Sequence, residues 1–191
     1  MHNIEPYYNW LKYYDSSFDQ RSPFYGKEYN YDLFKDTIYG YYIHPAWDSF
    51  GSETLYLKVL YVNYNLGFVI IEFIGEWNDT LNNDIMLLKR NFLEVLMKEG
   101  IFKFVLIGEN LLNFHGSDDS YYEEWFDDVE DENGWIAAIN LPDFIMSEQT
   151  KFHIDHYVNM GGTLQIDHWR TLHPQKLFEL VSGLIQRRLG A

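Results

Sequence analysis

From residue 54 onward the chain alternates short aromatic and β-branched runs with segments whose apolar residues recur every three or four positions, and this alternation constrains the fold more than any other feature. Residues 54–64 and 68–77 are the strongest strand candidates. In the first, Leu55, Leu57, Val59 and Tyr61 alternate with Tyr56, Lys58, Leu60 and Val62, so both faces are largely apolar, as in a strand covered on both sides. Asn63-Tyr64-Asn65-Leu66-Gly67 supplies the Asn and Gly of a tight turn, so the two runs are expected to pair antiparallel. Residues 37–44 read as a third strand of the same meander.

Downstream, Asn78-Asp79-Thr80 offers N-cap residues for a helix carrying Leu81, Ile85, Leu88, Phe92, Val95 and Leu96 at helical spacing until Gly100. Residues 102–107 predict a strand ending at Gly108, 121–129 a helix and 135–141 a strand with Pro142 just beyond. A helix over 143–160 stops at Gly161-Gly162, a short strand follows at 163–166, and a helix over 174–189 closes the chain. Repeated strand–helix units call for right-handed crossovers onto a mixed sheet with helices on its faces. With 191 residues there is enough chain for one well-cored unit. The expected fold class is therefore α/β, an antiparallel N-terminal meander followed by βα repeats, with residues 51–191 as a single domain.

Residues 1–50 have a different texture. Tyr7, Tyr8, Trp10, Tyr13, Tyr14, Phe18, Phe24, Tyr25, Tyr29 and Tyr31 are interleaved with polar residues and turn formers. Glu5-Pro6 can open a short helix through Tyr14, which Arg21-Ser22-Pro23 then breaks. This extension reads as an aromatic layer lying flat on the core, and an aromatic surface for a partner or ligand is the alternative.

Cysteine is absent, which excludes thiolate catalysis, disulfide scaffolds and every Cys-based metal site. The 29 acidic and 14 basic side chains leave a net charge of -15, which repels phosphate backbones and anionic lipid surfaces and would welcome a basic protein partner. The first residues, Met1-His2-Asn3-Ile4-Glu5-Pro6, have neither a basic nor an apolar stretch of the signal-peptide kind, so a cytoplasmic location is expected. No apolar run approaches the ~20 residues of a membrane-spanning helix. Homo-oligomerisation is left open.

Residues 118–132 hold nine carboxylates: Asp118, Asp119, Glu123, Glu124, Asp127, Asp128, Glu130, Asp131 and Glu132. Such a run is either a solvated helix face or a docking surface for a basic partner, and the partner-binding set expected here is Asp118, Asp119, Glu123, Glu124, Asp127 and Asp128. Late in the chain His153 and His156, at helical spacing, and Asp167-His168, at a predicted strand end, have the donor types of a zinc or iron site. The Glu of a zinc-protease helix is missing between the histidines, so no cofactor and no catalytic residue is assigned.

Two segments together resemble the STAS family, the anti-anti-sigma-factor fold of bacterial regulators that includes SpoIIAA-like proteins. Phe68-Val69-Ile70-Ile71-Glu72-Phe73-Ile74-Gly75-Glu76-Trp77-Asn78-Asp79 is similar to the family's apolar strand, Gly and acidic entry into the first helix. Lys103-Phe104-Val105-Leu106-Ile107-Gly108-Glu109-Asn110 through Phe114-His115-Gly116-Ser117 is similar to its strand, loop and helix-opening Ser. By that match Ser117 takes the phosphoacceptor position, although Gly116 stands where the family has Asp. The resemblance implies a non-enzymatic protein-binding regulatory domain of bacterial signalling. An immunity-type protein that neutralises a basic toxin, and a small His/Asp metal enzyme, are the alternatives.

Overall fold

The computed structural model describes residues 4–189; the reading of the first three residues lies outside them. Its centre is a four-stranded mixed sheet in the order β3-β4-β5-β6, made of β3 (Leu55–Asn63), β4 (Phe68–Asn78), β5 (Lys103–His115) and β6 (Trp135–Ile139). The hairpin forms as its turn chemistry predicts: β3 and β4 pair antiparallel, with Leu57 opposite Phe73 and Lys58 opposite Glu72. Both later joins are parallel, β4 to β5 and β5 to β6, because a helical crossover separates each pair.

Residues 37–44 do not join this sheet. Tyr39 and Gly40 both have positive φ, 51° and 77°, and close a separate hairpin with two-residue arms, β1 (Thr37–Ile38) and β2 (Tyr41–Tyr42). The place on the outer edge of β3 is taken instead by one bridge, in which Asp48 exchanges both backbone hydrogen bonds with Leu57.

The first crossover begins later than its cap residues predict. Asn78 and Asp79 spend their side chains on the amides of Leu81 and Ile85, and α1 (Asp84–Leu88) starts only after Asn83, which is left-handed. A π-helical turn, Lys89–Leu93, interrupts the helix before α2 (Glu94–Lys98). β5 runs past Gly108 to His115, because two irregularities in its register with β4 absorb the extra residues. Gly108 is there for close approach, since a Cβ would strike the Leu141 side chain.

Beyond α3 (Ser120–Glu130) and β6, α4 (Asp143–Lys151) is shorter than the predicted 143–160. His153 is left-handed at φ 60°, and the turned chain lets Ile154 and Val158 reach the core. Residues 163–166 are no strand: the chain makes a single parallel bridge to β6 at Asn159 and then a short 3-10 turn over Gly162–Leu164. The chain ends in α5 (Pro174–Leu189). Among the described residues no helix is long and apolar enough to cross a membrane.

The sheet separates two apolar layers. One face packs Leu57, Val69, Phe73 and Phe104 against the helices α1 to α4, with Trp125 fully buried. The other packs Phe68, Ile70, Val105 and Ile107 under α5, Trp169 and Trp10. Further along it, Ile38, Ile43 and Trp47 cover Tyr56 and Ile74. The N-terminal segment is not the helix that Glu5-Pro6 suggests. It is a chain of turns that lays Trp10 on the sheet, its Nε1–H donating to the Leu172 carbonyl.

Candidate functional site

Tyr122, Trp125 and Val129 bury one side of α3 and turn its carboxylates outward. The π-helical turn then makes a distinction that sequence alone does not contain. It brings Lys89, only 1% exposed, under α3, where its ammonium stands 2.7 Å from Asp128 Oδ2 and 3.1 Å from Glu124 Oε1. Burial pulls the Lys89 pKa down, but its bonds to Asp128 and Glu124 outweigh that and hold it above the usual value. Arg90 adds pairs to Glu94 and Glu124. Glu124 and Asp128, although partly exposed, are thus ion-paired anchors, and Asp131 and Glu132 border the same hollow as Lys89, whereas Glu123, Asp127 and Glu130 are exposed without a cation beside them among the described contacts.

Asp118 belongs to the helix start. Its Oδ1 accepts the Ser120 amide at 3.2 Å and the Ser120 hydroxyl, which hold its carboxyl below the usual range. Asp119 accepts from the Tyr157 hydroxyl at 3.3 Å. Ser117 does not open the helix: Ser120 does, and Ser117 is half-buried in the preceding loop. That loop is pinned by Thr80, whose hydroxyl donates to the Gly116 carbonyl at 2.7 Å. Gly116 is required there, because a Cβ would collide with the Phe152 ring.

The two halves of the late histidine set are not brought together. His153 and His156 stack with ring centroids 5.4 Å apart beside Ile154, on the α3 side of the sheet. Asp167 and His168 are exposed next to Ile166 and Trp169, which pack on the opposite side. The chain crosses the sheet edge between them, at Asn159. Among the described residues no group of three or more His, Asp or Glu side chains is placed to share an ion.

Sequence reasoning missed a polar band on the second face. Lys58 and Glu72, register partners on β3 and β4, are both buried, and Glu72 is inaccessible. Glu72 accepts the Tyr7 amide at 2.8 Å and Asn110 Nδ2 at 3.1 Å, and Arg170 stands 3.9 Å away. Burial dominates these contacts and pushes its pKa up to about 7. Lys58 is held by inaccessible Asp48 at 3.1 Å and by Tyr29 at 2.7 Å. At the carboxyl end of β4, Glu76 accepts from Asn78 and Tyr39 and lies 3.7 Å from His115 Nε2. Asp79 is buried nearby, accepting from Trp77, Ile85 and Tyr122, and burial raises its pKa to about 6. The available signal was a lone charge inside an apolar run, as in Val-Ile-Ile-Glu-Phe-Ile, since such a charge must find partners on folding.

No protein-family model matches the chain, and no curated protein sequence matches it.

Proposed function

We propose that the chain is a non-enzymatic, protein-binding regulatory domain of STAS-like type that docks a basic partner through the outer side of α3. The observation that carries this reading is the sorting of the carboxylates by Lys89. Glu124 and Asp128 are engaged by Lys89, while Glu123, Asp127 and Glu130 remain exposed on a helix fixed to the core by Trp125. Clustered like charge on a rigid helix attracts a complementary surface and speeds its approach. The His156–Tyr157 pair, with Tyr157 against Phe126 and Asp119, extends the surface with rings. The β3–β4 hairpin followed by parallel crossovers is compatible with the STAS resemblance. In this reading phosphorylation of Ser117 adds negative charge beside Asp118 and Asp119 and regulates docking.

The test is photo-crosslinking from position 123 in the native host to identify the partner, followed by stopped-flow association at several salt concentrations. Glu123→Gln with Asp127→Asn and Glu130→Gln is expected to slow association about ten-fold, and added salt to do the same. A rate unchanged by both would make the face merely solvated. Ser117→Ala with unaltered affinity and no phosphate on Ser117 in native protein would remove the switch and leave the docking.

A further inference from the structure

Between the N-terminal segment and the edge strand β3 lies a cavity of about 340 Å3, walled chiefly by Tyr7, Tyr8, Leu11, Tyr29, Tyr31 and Leu60. Lys58 and His44 also face it. The hollow opens to solvent past Tyr8, Leu11 and Tyr31, and a mainly apolar cleft with a few convergent polar groups is the usual form of a small-molecule site. We propose that this cavity binds a small aromatic carboxylate, its ring among the tyrosines and its acid group on the Lys58 ammonium.

The charge of the ligand follows from the wall. Lys58 has a side chain 8% exposed, and the inaccessible Asp48 carboxylate holds both its ammonium, at 3.1 Å, and that of Lys27, at 2.5 Å. Two ammoniums therefore share one buried carboxylate, which also accepts from the Tyr29 hydroxyl at 2.8 Å. Lys58 spends two of its three N–H donors on Asp48 and Tyr29, and the third is left for a ligand. Burial lowers the Lys58 pKa, so an acid group arriving beside it strengthens the charged form and is itself bound by a charge-assisted hydrogen bond. His44 supplies a second donor. Its Nδ1 accepts the Ala46 amide at 3.2 Å, which places the proton of the neutral ring on Nε2, 3.7 Å from Glu5.

Two carboxylates also belong to the wall, and neither opposes the assignment. Asp15 turns its Oδ1 to the Ser17 amide and hydroxyl, at 2.9 and 2.8 Å, and contributes the weakest of the main influences on Lys58. Glu5 has a side chain 53% exposed and lies 3.7 Å from His44 Nε2. Size restricts the ligand further. A hollow of about 340 Å3 stands at the small end of small-molecule sites, a size that suits one substituted ring. The cavity lies on the sheet face opposite α3, so the proposal is independent of the docking surface.

Isothermal titration calorimetry of the full chain with para-hydroxyphenylacetate, tyramine and tyrosol tests it, since the three probes share a ring and differ in carrying an acid, an amine or a neutral hydroxyl. The acid is expected to bind at least about ten-fold more tightly than either of the others, the worth of one charge-assisted hydrogen bond. Lys58→Met should weaken it by about ten- to a hundred-fold. Because that variant disturbs Asp48, Ala46→Trp serves as a second one: it fills the hollow, leaves the ion pairs intact and should abolish binding with an unchanged circular dichroism spectrum. Absence of binding by all three probes, or binding of the acid that survives Ala46→Trp, overturns the site. Equal or tighter binding of tyramine or tyrosol overturns the acid assignment.

Discussion

The two faces of the sheet are closed by different kinds of chain, and their chemistry differs accordingly. Toward α1 to α4 the strands present only apolar side chains, such as Leu57, Ile71, Phe73, Leu106 and Ala138. Toward the N-terminal segment and α5, the same strands interrupt Phe68, Ile70 and Ile107 with buried Glu72 and, on β3, Lys58. Regular helices satisfy their own backbone and can seal a dry layer. The irregular N-terminal chain brings free amides, hydroxyls and indole N–H groups, so it can cover charges by hydrogen bonding to them, as the Tyr7 amide does for Glu72. Within the central strands, buried Lys58 and Glu72, like the cavity, lie where the cover is irregular; the charges buried on the helical side, Asp79 and Lys89, stand on the crossover after β4.

The largest effect expected from this contrast is on stability. Trp125→Ala on the helical side should cost about 3–5 kcal/mol in urea denaturation, because the ring is inaccessible and packs edge-on against Phe104 at 5.2 Å. Trp10→Ala removes an equally large ring from a segment able to peel away by itself. Hydrogen exchange should therefore quicken at the Tyr7 amide while the amides of β4 and β5 keep their protection. If Trp10→Ala accelerates exchange throughout the sheet, the two covers are one cooperative unit and the distinction fails.

Glu72 sharpens the comparison through pH. Its folded-state pKa is raised to about 7 from 4.5, so the folded protein holds a proton that the unfolded chain releases. Stability therefore falls as pH rises through that window, and Asp79, raised to about 6, pushes the same way. Glu72→Gln should stabilise the protein at pH 8 by at most about 3 kcal/mol and change little near pH 4.5. A denaturation midpoint independent of pH from 5 to 8 in both proteins would mean that Tyr7, Asn110 and Arg170 fully compensate the ionised acid.

What the sequence disclosed follows the same division. The β3–β4 pairing and the helices after β4, β5 and β6 were legible because alternation and helical spacing are local signals of burial on a regular element. The separate β1–β2 hairpin was not, since Tyr39-Gly40 could close a turn inside or outside the main sheet, and one Asp48 bridge decided the matter. Nor could spacing show that His153 and His168 sit on opposite faces, because the crossing at Asn159 is a tertiary event. The acidic run was obvious, but its division was hidden: only the π-helical turn, which places Lys89 under α3, separates Glu124 and Asp128 from their neighbours.

That division gives a moderate effect inside α3. Lys89→Met leaves Glu124 and Asp128 facing each other without their shared cation, and a loss of about 1–3 kcal/mol is expected from two charge-assisted hydrogen bonds. Glu124→Gln with Asp128→Asn in the same background should recover part of it, because the remaining repulsion is removed. A loss below about 0.5 kcal/mol in the single variant would class the cluster with ordinary surface pairs.

The smallest effect is the most informative for function. Glu123 and Asp127 are one helical turn apart and both exposed, and like charges at that spacing cost a few tenths of a kcal/mol, at roughly the magnitude of a favourable helical pair. Glu123→Gln with Asp127→Asn should therefore stabilise the isolated chain slightly, by less than about 0.5 kcal/mol. The same charge removed from the inner pair, with Lys89 left in place, should destabilise it. Opposite signs for equal changes in net charge must arise from where Lys89 and Arg90 stand, because any effect of total charge would move both variants the same way. Thermal denaturation at low and physiological salt distinguishes the two: the gain from the outer variant should shrink as screening rises, within a Debye length of about 8 Å at 0.15 M, while the loss from the inner variant, made against a buried ammonium, should persist.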